Sequence, residues 1–402
     1  MNICFVNNYD ISPNSGGVNR ISFLLSDYFK NEYHYNCYLA YIEENNIKPT
    51  ANLDGKIKLS QKIDKNALDS FFKSNQIDVI VVNFLRKYNL PILPQVYEIA
   101  KNNHIPLIFC FHVFPGYEIR SYSTLEKVIY ALFHNGNVIS ELRWTFRSSF
   151  VFLTNLLSKI VLKTKYFLPY DNCDKIVVLS ESYIDLYAKL ACVTDKNKFV
   201  AIGNACTFKE SFLFDNLHIK QKEVLVVARM EEHTKRLSLV LKIWKKIELN
   251  KNLDDWSLTI VGDGNDYNYY LFLAKKLKLQ RCNFTGHQMP LPYYKRASIF
   301  MMTSSAEGWP MTITEALQMG VVPIAFNSFG ALHEIIKNDY NGIIVPNNDI
   351  DLYVQNLTKL ILDDEKRLYM AKNAIEYSHN FRIGKIAEKW DLLFKNVIEN
   401  NK

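Results

Sequence analysis

Ala306 to Leu317 reads AEGWPMTITEAL, with two glutamates, Glu307 and Glu315, eight positions apart. The run before it, SIFMMTS, is continuously apolar and short, the pattern of a strand buried on both faces. Glu307 therefore falls in the loop at that strand's carboxyl end. Pro310 suits the first turn of a helix, where a missing N–H costs nothing. The helix is expected to run to about Met319, with Gly320 as its cap and VVPIAF returning as a strand. Residues eight apart on one helix are separated by about 12 Å along its axis. The two carboxylates cannot work as a close acid/base pair. They suit a long ligand held at both ends, or they merely offset the dipole of a helix start.

Outward from this stretch the same alternation recurs. NICFV, CYLAYI, DVIVVNF, PLIFCF, KIVVLS and KFVAI read as strands in the first half, and EVLVVA, SLTIVG, CNFTG, SIFMMTS and VVPIAF in the second. Helical patterns of 10–20 residues usually separate them. This is the signature of an α/β chain with parallel sheets covered on both faces. The alternation breaks at a basic apolar stretch near residues 119–170 and at the polar stretch TFKESFLFDNLHIKQK (207–222). Two Rossmann-like domains are expected, 1–210 and 218–384, with a cleft between them and ligands beyond the strands' carboxyl ends. IAEKWDLLFKNVIEN carries Ile386, Trp390, Leu393 and Val397 at helical spacing, which fits a plain amphipathic helix of the second domain.

Composition narrows the class. The chain has 402 residues, 48% of them hydrophobic and 22% charged, which is ordinary globular usage. Its seven cysteines are scattered and form no C-x-x-C, which fits reduced thiols in a cytoplasmic protein and argues against a zinc site. MNICFVNNYD reads as a first buried strand, not as a secretory signal. No D-x-D, H-E-x-x-H, G-x-S-x-G or Walker loop occurs, so no metal or resident cofactor is expected. VGDGND (261–266) is half of a dinucleotide fingerprint, with Tyr267 where the last glycine should stand. The first strand lacks the fingerprint altogether, so an NAD enzyme is not expected, and the loop either closes around a nucleotide or simply turns.

Other residues could carry chemistry. In VVARMEEHTKRL, Arg229 ends a strand and Lys235 follows near a helix start. Two cations there would hold a diphosphate, or form a solvated basic helix start. In NSGGVNRI, Gly16 and Gly17 open a helix after the first strand, where backbone N–H groups can approach a phosphate, although a Gly-Gly pair is also an ordinary turn. His112 in FCFHVFPGY ends a buried strand, so it either faces a ligand or is structural.

Taken in order, these pieces resemble the retaining nucleotide-sugar glycosyltransferases of family 4, with the GT-B fold. The most specific block is YYKRASIFMMTSSAEGWPMTITEALQMGVVPIAF followed by HEIIKNDYNGIIVP. The family's E-x7-E falls on Glu307 and Glu315, its paired cations on Arg229 and Lys235, its glycine loop on Gly16 and Gly17, and its histidine on His112. CDKIVVLSES and KFVAIGNAC resemble the end of the first domain, with Gly203-Asn204-Ala205 replacing the usual Pro-Asn-Gly, and the resemblance implies that the C-terminal helix of 385–402 crosses back to join that domain. The resemblance implies that Glu315 binds the donor ribose and Glu307 the donor sugar. Arg229, Lys235 and the backbone around Gly17 would stabilise the departing diphosphate without a metal. It also places Gly262, Gly286, His287, Trp309, Pro310, Met311 and Thr312 at the donor. A protonated His112, or its carbonyl, would stabilise the oxocarbenium-like sugar or position its O6. Retention implies front-face attack with no carboxylate nucleophile, the acceptor proton passing to the leaving phosphate.

A UDP-sugar donor and a glycan or lipid-linked glycan acceptor, in surface polysaccharide or lipopolysaccharide synthesis, are the expected partners. The alternatives are a nucleotide-sugar epimerase of the same architecture and a catalytically silent scaffold for membrane or partner. The stretch 119–170 carries seven Lys or Arg (Arg120, Lys127, Arg143, Arg147, Lys159, Lys163, Lys165) against Glu126 and Glu141, a local charge of +5. Interleaved with long aliphatics, it suits a peripheral contact with anionic lipid on the cytoplasmic face, or buried helices with snorkelling basic ends. Nucleic acid is not an expected partner.

Overall fold

A computed structural model of the chain describes residues 1–14, 16–44, 47, 49–59, 65–84, 93–116 and 166–401. The described residues form two compact units, one of 1–115, 166–207 and 380–401, the other of 208–379.

The first unit is a seven-stranded parallel sheet: β1 (Asn2–Tyr9), β2 (Asn36–Glu43), β3 (Gly55–Lys58), β4 (Val79–Phe84), β5 (Leu107–Phe111), β6 (Lys175–Val178) and β7 (Phe199–Ala201), in the order β3-β2-β1-β4-β5-β6-β7. β1 is buried from Ile3 to Asn8, because both faces of a parallel sheet are covered and nothing alternates to solvent. The chain winds outward from β1 in one direction, then returns to pair β4 on its other side. That reversal makes a topological switch point beyond the ends of β1 and β4. Helix Gly17–Glu32 follows β1 and buries Ile21, Leu25 and Phe29, one residue per turn. Helix Ile383–Asn400 packs on it, burying Ile386, Trp390, Leu393 and Val397, with the Phe29 and Phe394 rings 5.5 Å apart. Tyr35 donates to Asp391 of that helix at 2.7 Å.

The second unit is a six-stranded parallel sheet: β8 (Glu223–Val227), β9 (Ser257–Val261), β10 (Cys282–Phe284), β11 (Ile299–Met302), β12 (Val322–Asn327) and β13 (Ile343–Pro346), in the order β10-β9-β8-β11-β12-β13. Here the reversal lies between β8 and β11. Its core gathers Trp244, Tyr270 and Tyr353, all fully buried, against the strand aliphatics. Burying each such side chain contributes about 2 kcal/mol.

All eleven runs read as strands are strands. Two more were not anticipated, β3 (GKIK) and β13 (IIVP). Among the described residues no helix is long and apolar enough to cross a membrane. The basic residues from Arg120 to Lys165 lie outside the described residues, so the surface expected of them does too.

Candidate functional site

In the second unit Arg229 follows β8 and Glu307 follows β11, the two strands that flank the switch point. Arg229 follows β8 on a loop that the VGDGND turn holds in place. Ala228 N–H donates to the Val261 carbonyl at 3.1 Å, Met230 N–H to Asp263 at 2.9 Å, and Asp266 N–H to Met230 at 3.1 Å. The two backbones touch, which is why this turn needs glycine. A Cβ on Gly262 (φ +142°) would stand 1.9 Å from the Ala228 oxygen, and one on Gly264 2.5 Å from the Met230 oxygen. The half-fingerprint thus supports the Arg229 loop from behind. Gly286 accepts the Gly262 N–H at 2.9 Å, and His287 beside it is exposed.

Lys235 ends the one-turn helix Glu232–Lys235. Buried Asp266 accepts the Glu232 N–H at 2.6 Å. The Glu232 carboxylate turns inward and accepts from Ser238 N–H (3.1 Å), Ser238 Oγ (2.5 Å) and Tyr270 Oη (2.9 Å), while burial raises its pKa. The β11 tail is laced to this turn. Ser305 N–H donates to the Thr234 carbonyl at 2.8 Å, Ser305 Oγ to His233 at 3.1 Å, and Thr303 Oγ1 to Lys235 at 2.8 Å. Arg236 sits in the left-handed region (φ +49°) and spreads its guanidinium over Thr303 O (2.6 Å), Ser304 O (2.9 Å), Asn348 Oδ1 (2.7 Å) and Asn347 Oδ1 (3.0 Å). The outcome is a contact between elements 72 residues apart: Lys235 Nζ donates to Glu307 Oε1 at 2.5 Å. Their side chains are 23% and 15% exposed, so the pair is reachable yet partly desolvated. Arg229 is 58% exposed and pairs with Glu231 at 3.1 Å.

Glu315 belongs to a different element. Helix Met311–Gln318 begins one residue later than expected, with Pro310 as its N-cap at φ −77° and ψ 84°. Glu307 lies in the loop before it, so the two carboxylates are not spaced by one helix. Glu315 is 2% exposed and Trp309 is also buried. The helix is pinned at both ends. Tyr294 Oη donates to the Thr312 carbonyl at 3.0 Å, and Lys220 Nζ donates to the Met319 carbonyl at 2.6 Å and to Tyr294 O at 2.7 Å. Burial lowers the Lys220 pKa to about 7. Gly320 takes φ +64°, the left-handed cap expected of it.

Gly16, Gly17 and His112 belong to the first unit. Gly16 (φ +46°) is the N-cap of helix Gly17–Glu32, whose first turn holds no acidic residue. His112 follows β5 and bonds through Nε2 to Asn83 Oδ1 at 2.9 Å. Asn83 Nδ2 reaches Asn7 Oδ1 and Ser22 Oγ, each at 3.1 Å. The residue keeps some exposure, but its Nδ1 is buried with no partner among the described residues. Burial lowers the ring's pKa to about 4. Burial therefore favours the neutral ring in the free chain near neutral pH.

Sequence reasoning missed Arg236, Asp266, Glu232, Tyr270, Asn83 and Ser22. Their partners are tens of residues away, and local pattern gives only weak signals, such as the hydroxyls of MTSS at a strand's carboxyl end.

Compared with known proteins, residues 208–377 match the family described as glycosyl transferases group 1. The chain is 30% identical over 244 residues to an uncharacterized glycosyltransferase of Haemophilus influenzae, spanning 60% of this chain and 66% of that protein. It is 26% identical over 392 residues to the amylovoran biosynthesis glycosyltransferase AmsD of Erwinia amylovora, spanning 94% and 95%. It is 26% identical over 231 residues, 57% and 62% of the two chains, to an alpha-1,4-N-acetyl-D-galactosaminyltransferase of Campylobacter jejuni named for a diNAcBac-PP-undecaprenol glycan. The fold is similar to that of Anabaena HepE in complex with UDP-glucose, with TM-score 0.68 and 14% identity over 98% of this chain and 100% of that one.

Proposed function

This chain is a glycosyltransferase of the group 1 family, and on that premise we propose that it moves a sugar, with retention, from a UDP-sugar to a hydroxyl of a glycan or lipid-linked glycan in surface polysaccharide synthesis. The observation that carries the reading is the Lys235–Glu307 pair at the β8/β11 switch point. An ammonium has three donors, so Lys235 can keep Glu307 and still meet a phosphate oxygen. With Arg229 it would offset the charge that grows on the departing diphosphate, a task for fixed cations already in place. Glu307, held by Lys235, would accept hydroxyls of the donor sugar, and buried Glu315 those of the ribose. Unit 208–379 is the donor side and the unit that begins at Met1 the acceptor side. The names of the relatives support the polymer class, and the HepE complex supports UDP.

The test is a melting titration with UDP, GDP and ADP, followed by UDP-Glc, UDP-Gal and UDP-GlcNAc. A ligand that prefers the folded state raises the melting temperature by mass action. A rise with UDP and a larger one with one UDP-sugar are expected. No rise with any nucleotide, in folded protein, would overturn the reading.

A further inference from the structure

The His112 ring is held by a chain of bonds whose directions can be worked out. Ser22 Oγ donates to the Val18 carbonyl at 3.0 Å, one turn back in its own helix. Its single proton is used there, so towards Asn83 it can only accept. The Asn83 atom 3.1 Å from Ser22 must then be the amide NH2, which also reaches Asn7 Oδ1 at 3.1 Å. That leaves the Asn83 carbonyl oxygen facing His112 Nε2 at 2.9 Å. An oxygen without a proton needs a donor opposite it, so Nε2 carries the hydrogen. In a neutral imidazole the other nitrogen is then a bare lone pair. That atom, Nδ1, is buried and has no partner among the described residues. A buried acceptor left unmatched costs about 1–3 kcal/mol, so it is matched when a donor arrives.

We propose that Asn83, oriented by Ser22, is a positioning residue that locks His112 as the Nε2–H tautomer, so that Nδ1 accepts a hydroxyl of the substrate. The inference rests on the glycosyl-transfer reading for the hydroxyl's source, but the lock itself does not. A neutral acceptor selects O–H or N–H donors and rejects phosphate and carboxylate, which bring only acceptors.

The experiment is a long-range proton–nitrogen NMR correlation on the full chain labelled with nitrogen-15 histidine, with His112 identified as the signal lost in His112→Gln. The expected free-state pattern is a protonated Nε2 and an unprotonated Nδ1. On adding the UDP-sugar chosen by melting, or its acceptor, the Nδ1 resonance moves upfield as it accepts a hydrogen bond. Asn83→Leu loses the single-tautomer pattern. It lowers kcat/KM about tenfold, the scale of one neutral hydrogen bond, and leaves UDP affinity within about twofold. Ser22→Ala, a milder change, blurs the pattern if Asn83→Leu does not fold. A protonated Nδ1 in the unsubstituted chain overturns the lock even where sugar transfer is seen. An Nδ1 resonance that ignores substrate overturns its acceptor role. A chain that shows the lock but transfers no sugar overturns the glycosyl-transfer reading and leaves the lock standing.

Discussion

The two sheets place their candidate site residues at the same topological position and build them from different materials. At the β8/β11 switch point the side chains proposed to act include Arg229, Lys235 and Glu307, partly open to solvent and paired at 2.5 to 3.1 Å, with buried Glu315 on the helix that follows. At the β1/β4 switch point they are neutral amides, a hydroxyl and a neutral imidazole, largely buried. Burial disfavours the charged form of the His112 ring at the second of these places. An ion site suits the growing negative charge of a leaving diphosphate. A neutral site suits hydroxyl groups, whose recognition depends on direction more than on field.

The largest way to break this contrast is Glu307→Ala. Transfer should fall by roughly 10³-fold or more, because the sugar loses an acceptor matched to its hydroxyls in the transition state. UDP affinity should stay within about threefold, since Lys235 remains. A parallel loss of UDP affinity, measured by calorimetry, would contradict a sugar role for Glu307. Lys235→Ala comes next. Turnover should drop by roughly 10²-fold, the scale of one lost preorganised donor, and UDP affinity should fall with it. Near-normal turnover would take Lys235 out of the diphosphate site. The pair of variants separates sugar from diphosphate even though the two side chains touch.

The sequence showed the charged site more clearly than the neutral one. Arg229 and Lys235 stand six residues apart and Glu307 and Glu315 eight, short spacings that the family resemblance could match, and it was the resemblance that gave them roles. The strands were legible because both-face burial leaves unbroken apolar runs such as DVIVVNF. β3 was not, because GKIK has one apolar residue and lies at a sheet edge, paired on one side only. Asn83 hid inside a run read for its valines. Its partners Asn7, Ser22 and His112 lie 76, 61 and 29 residues away, and no local period carries such distances. Arg236 hid for the same reason, as its Asn347 and Asn348 partners lie 111 and 112 residues on. The glycines of VGDGND were visible, but their cause was not: the contact they permit is with another loop's backbone.

The smallest effect sharpens the contrast through acid. His112 has a folded pKa of about 4, below its ordinary value near 6.5. Between those values the unfolded chain binds the proton and the folded chain does not, so this group makes stability rise with pH. The contribution is fully present above about pH 6.5 and is lost as pH falls towards 4. From pH 7 to pH 5 the loss attributable to His112 is about 2 kcal/mol. The pH change acts on the whole chain, so the measurement is a difference: urea unfolding at pH 7 and pH 5 for the chain and for His112→Gln. Glutamine can still donate to Asn83 but cannot take up a proton. The variant should lose about 2 kcal/mol less than the unsubstituted chain over that interval. Equal losses would mean that the imidazole is not held neutral, and the division between a charged and a neutral switch point would fail on its neutral side.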